Sequence, residues 1–127
     1  MLKEALLYNK LAHNKVSCFL CSHHCLINEG DFGICRVRRN KGGTLYTYTY
    51  GEAAAAHIDP IEKKPIFHIL PGTRSFSIAA CGCNFRCGFC QNWQISQVKE
   101  AEKLGIKSQP LSPQEIVKYA LEAQCAS

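Results

Sequence analysis

The sequence predicts an α/β protein in which a small, mostly β, cysteine-containing module at residues 1–72 precedes the first unit of a repeated βα architecture at residues 73–127. Three observations support this class. Turn residues punctuate short β-type segments in the first part, an apolar run at residues 75–80 leads directly into a cysteine loop, and a well-marked helix begins near Ser112. A parallel strand needs a partner strand after its crossover helix. Because the chain stops at Ser127, where that strand would begin, we expect a fragment of a longer protein, or missing strands supplied by another chain.

Composition indicates an ordinary globular chain. Its 127 residues correspond to one domain, and 46% hydrophobic with 20% charged residues argues against disorder. The 15 basic and 10 acidic side chains give a net charge of +5. The basic residues are spread along the chain except for one knot, Arg36, Arg38, Arg39 and Lys41. We interpret this knot as a solvated face and expect no nucleic-acid partner, because no aromatic-interleaved RNA motif surrounds it. Anionic small molecules remain candidate partners.

The chain has nine cysteines, which is many for its length. Its N-terminus carries charges at Lys3, Glu4 and Lys10 and has no long apolar stretch, so no signal peptide is visible. No run of eighteen apolar residues that would span a membrane is present either. We therefore expect a reducing cytoplasm, where clustered cysteines indicate metal or redox chemistry more often than disulfides.

Short elements are predicted along the N-terminal module. Leucines and an alanine at near-helical spacing predict an amphipathic helix over residues 3–11. Residues 36–39 and 44–50 flank Asn-Lys-Gly-Gly and predict a β-hairpin. Further short strands are predicted at residues 53–58 and 65–70, separated by proline-containing turns.

The C-terminal part is predicted to be a strand, a loop and a helix. Residues 75–80 form an apolar run typical of a buried strand, whose C-terminal end is where α/β folds build active sites. Ser112 and Glu115 form a capping-box pair with Pro113 at the first helical position, so a helix is expected to about Gln124. Its predicted apolar stripe comprises Ile116, Val117, Ala120 and Leu121.

The loop after the predicted strand holds Cys83, Cys87 and Cys90 in a C-x3-C-x2-C pattern. Three thiolates can hold three irons of a 4Fe-4S cube and leave the fourth iron open, and an open position distinguishes a reactive metal site from a closed structural one. One alternative is a zinc site completed by Cys81 or a distant histidine. A ferredoxin-like electron carrier is another, although the bacterial ferredoxin spacing needs four closely grouped cysteines.

This loop resembles the signature of the radical S-adenosylmethionine superfamily, including Phe89 just before the third cysteine. The wider sequence resembles the enzymes related to pyruvate formate-lyase activase, and among them the radical enzyme of the AmmeMemoRadiSam system. The segments that carry this wider resemblance are the N-terminal cysteines, residues 59–65, residues 70–72 and residues 90–97. Cys81 departs from the pattern, since a small residue is expected there.

The resemblance implies a partial TIM-type βα barrel, truncated here after its first unit. It implies that Cys83, Cys87 and Cys90 bind a 4Fe-4S cluster, and that S-adenosylmethionine chelates the free iron with Phe89 near its adenine. It further implies an oxidoreductase of the activase type, which cleaves S-adenosylmethionine reductively to methionine and a 5'-deoxyadenosyl radical. The implied partner is a reducing electron donor such as flavodoxin or ferredoxin. The resemblance to activases favours a partner protein as the substrate, but this subgroup need not act on one, so no substrate is assigned. No catalytic residue is assigned either.

A second cysteine group lies near the N-terminus and comprises Cys18, Cys21, Cys25 and Cys35. These four residues could close a structural zinc site or ligate a second iron-sulfur cluster, because C-x2-C is common to both. They could also be unmetallated thiols of the core. His23 and His24 lie inside the motif and could replace a cysteine ligand, although a histidine there is more often a bystander or a hydrogen-bond donor to a ligand.

The other conspicuous side chains are expected to be structural. We expect His57 and His68 to be histidines of predicted strands, and Glu62-Lys63-Lys64 to be a solvated turn. Phe85 and Trp93 are predicted to pack in the core or the loop, and Cys125 to be a buried apolar residue.

Overall fold

Two compact units, each assembled from an early and a late stretch of chain, make up the structure. The computed structural model describes residues 2–98 and 108–127. One unit takes its described residues from Met1–Tyr50 and Cys81–Lys107, and the other takes them from Gly51–Ala80 and Ser108–Ser127. The boundary predicted between residues 72 and 73 lies inside the second unit, so the units interleave along the chain.

The first unit contains two small antiparallel sheets. One has the order β1 (Lys3–Glu4), β6 (Thr44–Thr47), β5 (Arg38–Lys41). The other has the order β2 (Tyr8–Lys10), β3 (Val16–Cys18), β4 (Leu26–Ile27). Their inward residues form the core cluster Ala5, Val16, Cys18, Ile27 and Leu45, with Tyr8 and Cys25 packed against it.

The predicted hairpin in this unit is present, but its turn is shorter than expected because Asn40 and Lys41 belong to β5, and its second strand ends at Thr47. β5 pairs with β6 from Arg38↔Thr47 to Lys41↔Thr44. Gly42 and Gly43 make the two-residue turn with φ of 61° and 75°, the left-handed values that this tight hairpin turn requires and glycine adopts without a Cβ clash.

Asn40 explains how this hairpin is held to its neighbours, because it is fully buried on β5. Its amide nitrogen donates to the backbone oxygens of Asn14 and Ile27, at 2.7 and 3.0 Å. Its side-chain oxygen accepts from Gly43 N at 3.0 Å. All of these bonds are made within the unit, so burial leaves the amide satisfied.

The helix predicted over residues 3–11 is wrong. The segment forms β1 and β2 instead, and Ala5 N–H donates to Leu45 O at 2.8 Å between them. Leu7 has φ of 61°, which no right-handed helix accommodates, and Leu6 is 78% exposed. Strand pairing with β6, which is distant in sequence, and with the neighbouring β3 overrides the local helical pattern.

The second unit contains two antiparallel strand pairs. β7 (Glu52–Ala53) pairs with β10 (Gln109–Pro110), and β8 (Ala55–Pro60) pairs with β9 (Arg74–Ala79). A 3-10 helix, Ile61–Lys63, follows β8. The predicted strands at residues 53–58 and 75–80 are therefore present, but β9 is only partly buried, since Ile78 is 48% exposed.

The strand predicted at residues 65–70 is wrong. No strand is assigned there, and Phe67 and Ile69 are exposed. Leu70 has φ of 50° and accepts a hydrogen bond from Thr73 N–H, so the segment ends in a turn that leads into β9.

The predicted helix start at Ser112 is confirmed. Helix α2 (Pro113–Glu122) has Ser112 as its N-cap, whose hydroxyl accepts from Glu115 N–H at 3.2 Å. Glu115 accepts from Ser112 N–H at 2.7 Å, and this bond holds the pKa of the Glu115 carboxyl below its ordinary value. The helix ends at Glu122, short of the expected Gln124. Of the predicted stripe, Ile116 and Ala120 are half-buried, whereas Val117 and Leu121 are exposed.

The chain after α2 returns to β9. Ala126 N–H donates to Arg74 O, and Ser127 O accepts from Phe76 N–H, at 2.9 and 2.8 Å. The two bonds advance in the same direction along both segments, as in a parallel pair. The barrel itself stays a prediction. No helix among the described residues is long and apolar enough to cross a bilayer.

Candidate metal centre

The C-x3-C-x2-C loop of the first unit is preceded by Gly82, a position with no room for a side chain. Gly82 has φ of +85°, and a Cβ there would lie 2.6 Å from Val37 Cγ1 and 2.7 Å from Cys35 O. Gly82 N–H donates to Ile95 O at 2.8 Å, in the short helix α1 (Trp93–Ser96) that follows the loop. The loop is therefore tied down at its start, with its backbone against the Cys35 segment.

Further hydrogen bonds shape the interior of this loop. Cys90 N–H donates to Cys87 O at 3.3 Å, and the Gln97 amide donates to Phe85 O at 3.2 Å. Phe85 N–H lies 3.4 Å from Cys83 Sγ, a donor directed at the sulfur. The loop therefore carries its own backbone donors, rather than depending on neighbouring side chains alone.

The three cysteines of the loop are free thiols. Cys83 and Cys90 are half-buried and Cys87 is exposed. Cys90 Sγ and Ser96 Oγ are 3.2 Å apart and share a hydrogen bond. In residues 2–98 and 108–127, no three histidine, cysteine, aspartate or glutamate side chains already converge as a metal site. The donor set nevertheless fits a 4Fe-4S cluster, because such clusters take cysteine thiolates and are tuned by hydrogen bonds to sulfur.

Aromatic side chains around the loop face solvent. Phe89 is 90% exposed, which leaves its ring available to a ligand. Phe85 and Trp93 are 64% and 60% exposed, so of the two predicted placements, core and loop, the core is wrong. The backbone around Phe85 is held by the hydrogen bonds of the loop, and Trp93 begins α1. Both rings lie outside the packed interior.

The N-terminal cysteines occupy two adjacent turns of the same unit. Cys18 N–H donates to Cys25 O at 2.9 Å, which extends the β3–β4 ladder by one pair. Cys21 lies in the turn between them and accepts at its backbone oxygen from His24 N–H at 3.2 Å. Cys35 lies in the next turn, which is closed by Gly33 N–H donating to Arg38 O at 2.9 Å.

One cavity of about 390 Å³ is bounded by all four N-terminal cysteines. Cys83, the first cysteine of the loop, lines the same cavity. The sequence places these two cysteine groups far apart, and the first unit brings them to one surface. Arg38 also lines the cavity, and its guanidinium donates toward Cys18 Sγ at 3.4 Å.

A second cavity, of about 490 Å³, gathers cations in the same unit. Arg36 and Arg39 of the basic knot line it together with Arg86, which lies between the first two loop cysteines. Arg39 Nε donates to Gly30 O at 2.8 Å, and its guanidinium lies 5.2 Å from the ring centre of Phe32. Asp31 is the acidic residue on this cavity wall.

Asp59 organises the charged segment Glu62-Lys63-Lys64 of the second unit. Lys63 and Lys64 donate to its two carboxylate oxygens at 2.7 and 3.1 Å, and the Ser77 hydroxyl donates at 2.7 Å. These bonds, that of Lys63 above all, hold the pKa of Asp59 well below its ordinary value. Glu62 accepts from Gly72 N–H at 2.7 Å, which lowers the pKa of the Glu62 carboxyl. The segment is hence a hydrogen-bonded 3-10 turn.

Cys81, Cys125, His57 and His68 lie outside both cysteine patterns. Cys81 is buried, and Cys125 is half-buried just after α2, so Cys125 is less buried than predicted. His57 lies exposed on β8, as expected for a strand histidine, whereas His68 is exposed outside any strand.

Two relatives from Methanocaldococcus jannaschii are similar to this chain. It is 48% identical over 124 residues to uncharacterized protein MJ0808, an alignment that covers 98% of this chain and 36% of that protein. It is 32% identical over 103 residues to uncharacterized protein MJ0674, covering 80% of this chain and 25% of that protein. The chain therefore spans about a third and a quarter of the lengths of these relatives. No family model matches the chain, and no solved structure is significantly similar to it.

Sequence reasoning missed four residues that shape the site. Gly82 N–H bonds to Ile95 O of α1 at the start of the loop, and the Ser96 hydroxyl contacts Cys90; the only sequence signal of either residue is its adjacency to the motif. Arg86 lies inside the motif, but no local sequence pattern indicates that it lines a cavity together with Arg36 and Arg39. Asn84 accepts from His23 Nε2 at 2.8 Å, a long-range contact that no local pattern shows.

Proposed function

We propose that this chain belongs to a radical S-adenosylmethionine enzyme, as its N-terminal piece, and that Cys83, Cys87 and Cys90 hold its 4Fe-4S cluster. The observation that carries the proposal is the loop itself. Three free thiols at C-x3-C-x2-C spacing follow β9 directly, on a loop whose ends are fixed by backbone hydrogen bonds. Three ligands suit a cluster that keeps one iron open for a bound cofactor, whereas a closed structural site takes four.

When bound, the cluster and S-adenosylmethionine would supply a 5'-deoxyadenosyl radical by reductive cleavage of the cofactor. The residues of the chain would supply ligation, orientation and access. Phe85 N–H and Ser96 Oγ lie within hydrogen-bond distance of Cys83 and Cys90, where a donor stabilises a thiolate. The exposed ring of Phe89 would pack against the adenine.

The course of the chain after the loop supports a βα architecture for the longer protein. Helix α2 follows the loop, and residues 126 and 127 return to hydrogen-bond with β9 in a parallel sense. A first βα unit would take such a path.

An acidic electron-transfer protein, such as a flavodoxin or ferredoxin, would deliver the electron in a reducing cytoplasm. The cavity lined by Arg36, Arg39 and Arg86 supports this partner, because Arg86 belongs to the cysteine loop itself. Guanidinium groups suit carboxylate surfaces and speed encounter with them. The substrate of the radical would be a partner protein, in keeping with an activase-like enzyme.

Anaerobic reconstitution of the full-length protein with iron and sulfide tests the proposal. We expect about four irons per chain at the loop, and an electron paramagnetic resonance spectrum of the reduced cluster that changes when S-adenosylmethionine is added. Cys87→Ser should lose this cluster, whereas Cys125→Ser, at a cysteine outside both groups, should keep it. An unchanged spectrum in folded protein contradicts the proposal and favours an electron carrier. Tight zinc at the loop with no iron uptake favours a structural zinc module.

A further inference from the structure

We propose that Cys18, Cys21, Cys25 and Cys35 bind one zinc ion in a closed, tetrahedral site that holds the two N-terminal turns together. The carrying observation is that all four residues line one cavity of about 390 Å³ within a single unit, although their side chains do not already converge as a metal site in residues 2–98 and 108–127. Four cysteine ligands with no open position are the usual composition of a structural zinc site. Cys83 lines the same cavity, but the C-x3-C-x2-C motif assigns it to the loop, so the zinc would take the four N-terminal cysteines as ligands.

The β3–β4 ladder places the first pair of ligands. Val16 faces Ile27 and Ser17 faces Leu26, so Cys18 faces Cys25, and the bond from Cys18 N–H to Cys25 O continues this register. Directly opposed residues share a face of the sheet, with Cβ atoms about 4.5–5.5 Å apart. Two sulfurs on one zinc ion are about 3.8 Å apart, given Zn–S bonds of about 2.3 Å. Opposed cysteines can therefore reach the same ion by side-chain rotation.

The turn between these strands supplies the third ligand. Cys21 follows Cys18 by three positions and precedes Cys25 by four, so all three sulfurs come from eight residues of chain. His24 has φ of 44° and its N–H donates to Cys21 O, which turns the backbone back toward β4. A C-x2-C step on such a turn is a common zinc-binding arrangement.

The adjacent turn supplies the fourth ligand. A Cβ placed on Gly33 would lie 3.9 Å from Cys25 Sγ, so the turn that carries Cys35 abuts the first hairpin. Arg36 N–H donates to Gly33 O at 2.9 Å, and this bond fixes Cys35 inside the turn.

The surroundings of the cavity suit a thiolate-rich ion. Four thiolates on one Zn²⁺ carry an excess of negative charge, and the Arg38 guanidinium, 3.4 Å from Cys18 Sγ, can offset part of it. Ile27 and Val37 supply a buried apolar wall on one side of the cavity. A second iron-sulfur cluster and four bare core thiols are the competing occupants, and both are outcomes of the test below.

Zinc bound here would also position the catalytic loop, a step that rests on the proposed function. His23, between two of the ligands, donates to Asn84 O of the loop. Gly82 lies against Cys35 O. Ordering the two turns would thus fix the two residues that flank Cys83.

Metal content of the full-length protein, purified anaerobically, tests the site. Zinc and iron per chain are measured by plasma mass spectrometry for the wild type and for Cys21→Ser, Cys87→Ser and Cys125→Ser. We expect one zinc per chain in the wild type and in Cys125→Ser, and at least tenfold weaker zinc binding in Cys21→Ser. Cys87→Ser should lose iron and keep zinc.

Cobalt substitution gives a second readout, which uses the wild type and so does not depend on whether a variant folds. Co²⁺ in place of zinc in the wild type should show the intense visible bands and sulfur-to-cobalt charge transfer of a tetrahedral, four-thiolate site. Full zinc affinity in folded Cys21→Ser, iron with sulfide at these four cysteines, or four thiols that react with a thiol reagent in metal-replete protein would each overturn the proposal. Zinc present in wild type that takes up no iron would leave this site standing while the proposed function fails.

Discussion

His23 Nε2 lies 2.8 Å from the backbone oxygen of Asn84, across 61 positions of sequence. Because a carbonyl oxygen can only accept, the proton of this hydrogen bond belongs to the histidine. The bond joins the turn that carries the N-terminal cysteines to the loop that carries Cys83. The two cysteine groups are therefore physically coupled within one unit.

Replacing His23 with alanine should loosen the cysteine loop. A hydrogen bond of this kind contributes about 1 kcal/mol, which corresponds to about fivefold faster opening of the loop. Hydrogen exchange of a peptide spanning residues 83–90, followed by mass spectrometry, measures this directly.

A glutamine at position 23 can keep a donor in place and should restore much of the protection. His68→Ala, at an exposed histidine of the second unit, is the control and should leave the loop unchanged. Equal exchange in His23→Ala and the wild type would show that the bond does not hold the loop.

Gly82→Ala should destabilise the first unit and lower iron uptake by the loop. The new Cβ would meet Val37 Cγ1 at 2.6 Å and Cys35 O at 2.7 Å, and φ of +85° strains any residue with a side chain. A backbone oxygen cannot move aside cheaply, so we expect a loss of more than about 1 kcal/mol in the free energy of unfolding, as for an alanine placed at a positive φ that it cannot adopt without strain. Chemical denaturation and iron content are the measurements.

Gly88→Ala is the matched control inside the same loop. A Cβ at Gly88 meets nothing within 4 Å, and Gly88 does not have a positive φ. This variant should denature and take up iron like the wild type. Equal losses in both variants would mean that the loop tolerates no change, whatever its contacts.

Asp59→Asn should lower the melting temperature by a few degrees at neutral pH. The carboxylate accepts hydrogen bonds from Lys63, Ser77 and Lys64, and these bonds hold its pKa far below the ordinary 3.8. A depressed pKa gives stabilisation that is fully present above the ordinary value and fades as the pH falls toward the folded one. The difference between wild type and variant should therefore be constant from pH 7 to about 5 and shrink below about pH 4.

Glu122→Gln is the comparison for this experiment. Glu122 lies 3.8 Å from Lys118 with both side chains at least 60% exposed, and such surface pairs contribute little. We expect almost no change in melting temperature at any pH. A stability difference for Asp59→Asn that persists undiminished at pH 3 would point to packing rather than charge.

The sequence correctly predicted a turn and a helix start whose geometry depends only on neighbouring residues. The Gly42-Gly43 turn and the Ser112 cap each depend on residues within a few positions, and both are present. The helix expected at residues 3–11 is absent because this segment forms β1 and β2, which pair with β6 and β3. The pairing with β6 joins residues more than forty positions apart, and a local sequence pattern does not show it. The strand expected at residues 65–70 failed where a turn leads into β9 instead.

In the candidate site, too, the sequence predicted the local features and missed those that depend on tertiary contacts. Ligand spacing alone indicated both cysteine groups, because metal chemistry constrains which side chains must be close in sequence. Their common cavity, and the approach of Arg86 to Arg36, depend on tertiary contacts of the first unit. The sequence did not predict that Phe85 and Trp93 are exposed to solvent, since large aromatic residues are buried in most folds.

The exposure of Cys87 determines how the protein must be handled. Cys87 is the exposed member of the nine cysteines, whereas the others are half-buried or buried. Oxidants in air reach accessible thiols first, and oxidation beyond sulfenic acid is irreversible for most proteins. A preparation made in air would therefore oxidise Cys87 before the buried Cys18. If the loop binds a cluster as proposed, the middle ligand is the first that such a sample loses.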